Sequence, residues 1–150
     1  MQSPQYLSNL PAGVRAKLIE LKCLIPKSLN GSTNVISGRF VNSSEISWAV
    51  VCSREAQSSI LVFKENTGNK YDELGRWNED HWLVTDRNKS FYRREISSVD
   101  KSYIMEHYQS YGGQSPPKIK YEAINDGYLE MSSTVYYFNE NQWLKLTGAD

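Results

Sequence analysis

The sequence predicts an α+β domain built mainly from antiparallel β-sheet, with one amphipathic helix near its N-terminal end. Three observations lead to this prediction. Apolar residues first recur at helical spacing, the pattern then becomes strand-like, and short polar turns separate six to eight β-rich segments over residues 34–148. A chain of 150 residues fits one domain, and residues 1–150 contain no internal repeat that would indicate a solenoid.

A single helix is predicted over about residues 10–23. Asn9 is a suitable N-cap, and Pro11 fits the first helical turn, where its missing N–H costs nothing. Pro26 prevents the helix from continuing. Four apolar residues recur at i, i+4, i+8 and i+11 and therefore share one face: Leu10, Val14, Leu18 and Leu21.

The next three segments predict a β-meander that is covered on both faces. "NVISGRFV" and "ISWAVVCS" are rich in β-branched and aromatic residues, the polar "NSSE" between them is typical of a turn, and "SSILVFK" supplies the third strand. The runs from Trp48 to Val51 and from Ile60 to Phe63 are apolar on both faces. The meander is therefore expected to be buried on both sides, with the helix covering one of them.

The second half of the chain is patterned less clearly. Residues 64–80 are polar and turn-rich, so no strand is predicted there. "HWLVT" and "FYRREIS" predict two short strands around the turn "DRNK", and in the second of them Tyr92, Arg94 and Ile96 share a face. "STVYYFNENQWLKLTG" predicts a strong hairpin that turns at "NEN".

Residues 103–108 fit either a strand or a helix. As a strand they alternate between two faces, and as a helix Ile104, Tyr108 and Tyr111 align. A strand is preferred, because aromatic residues are frequent there and "GGQSPP" ends the segment abruptly.

Composition excludes some classes of function. Seventeen basic and seventeen acidic residues cancel, and no basic block is longer than a pair, so no nucleic-acid-binding surface is expected. No segment approaches the length of a bilayer span. The start "MQSPQYLSNLP" carries no export signal and suits a mature segment placed behind a new methionine.

The two cysteines, Cys23 and Cys52, leave two states open. In an oxidising compartment they could close one disulfide, which would stabilise the fold by roughly 2 to 4 kcal/mol. In a reducing compartment they would be two buried thiols. Their spacing alone does not choose between these states.

Candidate catalytic groups are few. The chain has two histidines, His81 and His107, and it contains no HExxH, CxxC or GxSxG pattern. Cys52 lies in an apolar run, which is an unfavourable place for a reactive thiolate. No metal or cofactor is therefore predicted. The enzymatic alternative is a hydrolase or carbohydrate-processing enzyme that uses Glu106 and His107.

The segment "MEHYQSYGGQSPP" is instead predicted to bind a protein partner. Gly112 and Gly113 supply positive φ angles, and Pro116 and Pro117 impose an extended path, so a stiff loop is expected after the strand. Stiff aromatic loops lose little entropy on binding. The expected contact residues are Tyr103, His107, Tyr108, Tyr111 and Gln114.

Four motifs resemble a family of small uncharacterised exported proteins of Gram-negative bacteria: "NVISGRFVNSSEISWAVVCS", "SSILVF", "YIMEHYQSYGG" and "VYYFNENQWLKLTGAD". This resemblance covers most of the chain from about Cys23 onward. The first half is also similar to a propeller-blade pattern of the FG-GAP kind, so the sheet is expected to be blade-like. In that pattern an acidic calcium loop precedes a strand. Here the matching "NSSEIS" has Glu45 as its only acid, so calcium is not expected.

Small β-rich periplasmic proteins with blade-like sheets include lysozyme inhibitors and immunity proteins against secreted toxins that degrade cell walls. They act by inserting a loop or an edge into the cleft of the toxin. This likeness implies a non-enzymatic periplasmic immunity or inhibitor protein whose partner is a secreted effector. The alternatives are a structural or ligand-binding module of the envelope and a cytoplasmic location. The sequence leaves open whether the protein is a monomer or a dimer.

Overall fold

Two four-stranded antiparallel sheets form the centre of the molecule. The computed structural model describes residues 1–150 and has ten strands in three antiparallel sheets. In chain order the strands are β1 Val35–Gly38, β2 Ser47–Arg54, β3 Gln57–Phe63, β4 Tyr71–Asn78, β5 Leu83–Asp86, β6 Lys89–Tyr92, β7 Arg94–Val99, β8 Ala123–Tyr128, β9 Ser132–Asn139 and β10 Gln142–Thr147. The helices are α1 Ala12–Glu20 and α2 Lys101–Tyr111. The predicted α+β class is confirmed.

Both large sheets are meanders. The first sheet has the order β1-β2-β3-β4 and the second β10-β9-β8-β7, so each strand pairs with its neighbours in the chain. This is the connectivity of a propeller blade, although the chain has two such sheets. The third sheet is the β5-β6 hairpin. Neither helix is long and apolar enough to cross a membrane.

Three apolar clusters divide the molecule into four layers. The first cluster lies between α1 and the first sheet, and includes Val14, Leu18 and Leu61. The second lies between the two sheets, and the third lies between the second sheet and α2, where Ile104 is fully buried. The order is therefore helix, sheet, sheet, helix. The predicted two-sided cover of the meander is confirmed, because the second sheet covers the face that α1 leaves free.

Helix α1 is shorter than the predicted 10–23. Pro11 occupies the N-cap in place of Asn9, because its extended ψ of 143° does not belong to a helical turn. Lys22, with a left-handed φ of 59°, follows the last turn. All four residues of the predicted apolar face pack into the first cluster.

Two strands were missed and one was divided. Strand β4 lies within residues 64–80, which the sequence indicated as turn-rich, and β8 was not predicted at all. The pairing of β4 shifts register between Ser58 and Ile60, so its side chains do not follow a simple alternation. The predicted strand "FYRREIS" breaks at Arg93, and its two parts join different sheets.

The strand predicted at residues 103–108 was wrong, because this segment belongs to α2. The Asp100 side chain accepts a hydrogen bond from the backbone N–H of Tyr103 at 3.0 Å, which is the bond expected of an N-cap. Gly112, with a φ of 75°, ends the helix. Ile104 is the buried residue of α2, whereas Tyr108 and Tyr111, which the helical alternative aligned with it, are half-buried and exposed.

Cys23 and Cys52 form a disulfide, which decides between the two states that the sequence left open. Cys23 follows α1 and Cys52 lies on β2, so the bond ties the helix to the first sheet. The neighbouring residues Leu24 and Ser53 form a backbone bridge beside it. Disulfides are typical of oxidising, non-cytoplasmic compartments.

We expect the variant Cys23→Ala/Cys52→Ala to lose about 2 to 4 kcal/mol of unfolding free energy, because its unfolded chain is no longer closed between residues 23 and 52. Urea denaturation measures this loss. Denaturation of the wild-type protein with and without reductant distinguishes the effect of the disulfide bond from the effect of the smaller alanine side chains. Equal midpoints in these two samples would contradict the prediction.

Candidate functional site

A buried ion pair within the second sheet is hydrogen-bonded to the first sheet. Arg94 on β7 has no exposed surface, and its Nε and Nη2 atoms donate to the two carboxylate oxygens of Asp126 on β8 at 2.9 and 2.8 Å. Nη1 also donates to Ser58 Oγ on β3 at 3.1 Å, and Nη2 to the carbonyl of Gly75 on β4 at 2.8 Å. One guanidinium group therefore bonds to two strands of the first sheet and one neighbouring strand of the second.

Asn34, immediately before β1, connects the same two sheets. Its side-chain oxygen accepts from the backbone N–H of Ile96 at 3.0 Å. Its Nδ2 atom donates to the carbonyl oxygens of Arg94 and Pro26 at 3.0 and 2.9 Å. Asn34 is fully buried with a φ of 58°, a conformation that asparagine tolerates better than most residues. Its amide thus fixes β7 beside the start of β1.

A chain of hydroxyl groups continues from the ion pair. Ser58 Oγ lies 2.6 Å from Tyr92 Oη, and Ser53 Oγ donates to Glu79 Oε2 at 2.5 Å. Burial raises the pKa of Tyr92 well above its ordinary value, with Glu79 adding to the shift and the hydrogen bond from Ser58 opposing it. The tyrosine therefore stays neutral at physiological pH.

Aromatic side chains from separate parts of the chain surround a cavity of about 280 Å³ beside the ion pair. We call this cavity the aromatic pocket. The ring centroid of His81 lies 4.7 Å from Trp77, 4.7 Å from Trp82 and 5.3 Å from Tyr128. The guanidinium carbon of Arg94 lies 4.3 Å from the Trp82 ring centroid, a cation-π contact. The remaining lining residues are Asp126, Ser132, Ser133, Thr134, Tyr136 and Lys145.

The lining of the aromatic pocket combines apolar rings with polar groups. The carboxylate of Asp126 is neutralised by Arg94, and Lys145 is exposed beside it. Burial and the charge of Asp126 raise the pKa of Tyr136, whose hydroxyl forms no side-chain hydrogen bond. The pocket therefore offers a neutral hydroxyl, a carboxylate with spare acceptor capacity and an ammonium group.

The structure brings three of the predicted partner-binding residues together on α2. Tyr103, His107 and Tyr111 lie at i, i+4 and i+8, with ring centroids 4.0 and 6.2 Å apart. The Tyr103 hydroxyl lies 3.3 Å from both Asn125 Oδ1 and Ser133 Oγ, and His107 Nδ1 lies 2.8 Å from the Tyr103 carbonyl oxygen. These two side chains are therefore engaged within the chain.

The other predicted contact residues are more accessible. Tyr111 is 53% exposed and Gln114 is exposed, whereas Tyr108 is half-buried. The following segment is attached to the second sheet, because Thr147 Oγ1 donates to the Gly112 carbonyl at 2.6 Å. The Tyr137 hydroxyl likewise accepts from the backbone N–H of Lys120 at 2.9 Å. Gly112 and Gly113 both have positive φ angles, as the sequence predicted.

Glu106 and His107 do not converge in the way that the hydrolase alternative requires. They are consecutive in α2, so their side chains leave the helix about 100° apart. Glu106 is exposed, whereas the His107 ring packs beside Tyr103. No group of three or more His, Cys, Asp or Glu side chains is placed to hold a metal ion.

The "NSSEIS" loop, which was compared with a calcium loop, is closed by its own hydrogen bonds. Asn42 Oδ1 accepts from the backbone N–H groups of Ser44 and Glu45.

The β5-β6 hairpin lies outside both large sheets, since its strands pair only with each other. Arg87 and Asn88 at its turn have φ angles of 49° and 64°, as a type I′ turn requires. Backbone bonds of 2.8 Å from Arg93 to Trp82, and from Leu129 to Arg93, hold its base beside the aromatic pocket. We call residues 83–92 the projecting hairpin.

Sequence reasoning missed the ion pair and the aromatic pocket. One signal was available, because Arg94 was predicted to share a face with Tyr92 and Ile96, and an arginine on an apolar face needs a buried acid. Nothing in the sequence identified Asp126 as that acid, since it lies 32 positions away.

Comparison with known proteins found no matching family model, curated protein or solved structure. The resemblance to exported Gram-negative proteins therefore stays a prediction.

We expect Arg94→Met to destabilise the protein by about 3 to 5 kcal/mol, because it leaves the carboxylate of Asp126 buried without a partner. The double variant Arg94→Met/Asp126→Asn removes both charges and should lose less than the sum of the two single variants. Urea denaturation of the four proteins measures this coupling. Additive losses would contradict the assignment of a buried pair.

Alkaline pH should destabilise the fold through Tyr92. An unfolded tyrosine loses its proton near pH 10, whereas folded Tyr92 retains it, so stability present below pH 10 is lost as the pH rises through the folded pKa. Tyr92→Phe should reduce the slope of unfolding free energy against pH by about 1.4 kcal/mol per pH unit above pH 10. Tyr6→Phe, at an exposed position, is the matched control. Equal slopes in wild type and Tyr92→Phe would contradict this prediction.

Proposed function

We propose that the protein is a non-enzymatic periplasmic inhibitor or immunity protein that inserts the projecting hairpin into the cleft of a secreted cell-wall hydrolase. The observation that supports this function best is the hairpin itself. It contributes to neither large sheet, and most of its residues are exposed. Recognition residues are often carried by such segments on a rigid scaffold.

The geometry of the projecting hairpin favours binding by insertion. An isolated two-stranded hairpin is marginally stable, but here the type I′ turn fixes its tip and backbone bonds hold its base. A segment that is ordered before binding loses little conformational entropy when it binds. Its narrow form also fits a cleft better than a flat surface does.

The charge of the hairpin tip favours a partner with an acidic cleft. The tip carries Arg87 and Lys89 against the single acid Asp86, and all three are exposed. Glycoside hydrolases generally place two carboxylates across the scissile bond. Arginine and lysine side chains entering such a cleft would pair with those carboxylates and exclude the substrate.

The disulfide supports a periplasmic location, since Cys23 and Cys52 need an oxidising compartment to remain bonded. A secreted hydrolase that returns to the periplasm of the producing cell would meet the inhibitor there.

Charge reversal at the hairpin tip tests the proposal. Arg87→Asp/Lys89→Glu should weaken binding to the partner by about 100-fold and abolish inhibition, because both cations would become repulsive to an acidic cleft. The matched control is Lys22→Asp/Lys27→Glu, which reverses the charges of two exposed lysines elsewhere. Lys22 has a left-handed φ of 59°, so it also matches the backbone conformation of Arg87, whose φ is 49°. The products of neighbouring genes and purified cell-wall hydrolases are the partners to assay.

Binding of none of these partners would overturn the proposed function. Equal binding by wild type and Arg87→Asp/Lys89→Glu would overturn the role of the hairpin. Tyr108→Ala/Tyr111→Ala, which removes the accessible tyrosines of α2, then tests the surface predicted from the sequence.

A further inference from the structure

We infer that the aromatic pocket is a saccharide-binding site that accepts one sugar unit. This inference concerns a different surface from the hairpin tip and does not depend on inhibition of a hydrolase. It follows from three properties of the pocket, namely the rings around it, the polar groups that line it and its charge.

The rings provide stacking surfaces for the apolar face of a sugar. Trp77 is 52% exposed, and His81 stacks against it with an interplanar angle of 17°. Tyr128 and Trp82 also pack against the His81 ring, Trp82 in an edge-on arrangement. Aromatic faces attract the C–H groups of a pyranose ring, because the ring face is negative and the C–H groups are weakly positive. A cavity of about 280 Å³ has room for one monosaccharide unit.

The polar groups suit the hydroxyls of such a unit. Each carboxylate oxygen of Asp126 accepts one bond from Arg94 and keeps another lone pair free. Tyr136 is only 5% exposed, and its hydroxyl has no hydrogen-bond partner among the side chains. Thr134 adds a further hydroxyl. Because Arg94 fixes Asp126, the acceptor is held in position before a ligand arrives.

Charge makes other ligand classes poor candidates. Arg94 and Asp126 neutralise each other, so Lys145 leaves the pocket with one net positive charge, which would repel a cationic ligand even though aromatic rings alone would attract it. A purely apolar ligand would leave the Tyr136 hydroxyl without a partner and the spare lone pairs of Asp126 unused. Lys145 would pair with a carboxylate on the sugar, so acidic saccharides should bind more tightly than neutral ones.

Two probes test the inference by isothermal titration calorimetry, tri-N-acetylchitotriose as a neutral saccharide and trigalacturonic acid as an acidic one. Trp77→Ala should weaken the binding of both by about 10-fold or more, because it removes the exposed stacking surface. Tyr6→Ala removes another exposed aromatic ring, which does not line the pocket, and it should not change the binding of either saccharide. Lys145→Ala should weaken only the acidic probe.

The inference is overturned if neither saccharide binds more tightly than about 10 mM, or if Trp77→Ala binds both as wild type does. Since Trp77 is largely exposed, its replacement is not expected to disturb the fold, and urea denaturation verifies this. Arg87→Asp/Lys89→Glu should retain saccharide binding. Failure of the inhibitor function and failure of the saccharide site are therefore distinguishable.

Discussion

The two large sheets meet over a charge that has no access to water. Removing a guanidinium and a carboxylate from solvent costs several kcal/mol per ion, and good pairing with additional hydrogen bonds is needed to offset the cost. Four of the five N–H donors of Arg94 bond to Asp126, Ser58 and Gly75, which lie on three different strands. The positions of β3, β4 and β8 relative to β7 are thus restricted together. Apolar packing alone would permit small displacements of one sheet over the other.

The same residue also couples the fold to the aromatic pocket. Asp126 lines the pocket, and Arg94 holds its carboxylate in place. Trp82, the residue that immediately precedes the projecting hairpin, packs over the guanidinium group. A buried ion pair contributes little net stability compared with an apolar replacement. We therefore interpret Arg94 mainly as a residue that orients its surroundings. The contact between the two sheets therefore fixes the positions of the pocket and of the hairpin base.

The sequence predicted those parts of the fold that depend on residues close together in the chain, and it did not predict those that depend on distant residues. The face of α1 and the closing hairpin β9-β10 follow from apolar spacing and turn chemistry, and both were predicted. Helix α2 was mistaken for a strand because its tyrosines satisfy both periods, and the decisive contact is the Asp100 cap. Strand β4 was not predicted, because the register shift in its pairing with β3 interrupts the alternation of its side chains. The aromatic pocket combines residues from β4, the turn before β5, β8, β9 and β10, so only the tertiary structure could assemble it.

The separation of the projecting hairpin from both sheets has a consequence for how this protein can diverge. Substitutions or insertions between Val84 and Phe91 change no pairing in either large sheet, and the entropy of a longer loop rises only slowly with its length. Selection can therefore alter the hairpin while the disulfide and the layered core stay constant. Lineages of this protein could change the length and charge of the hairpin without refolding the scaffold, and its most variable positions should then lie farthest from Arg94.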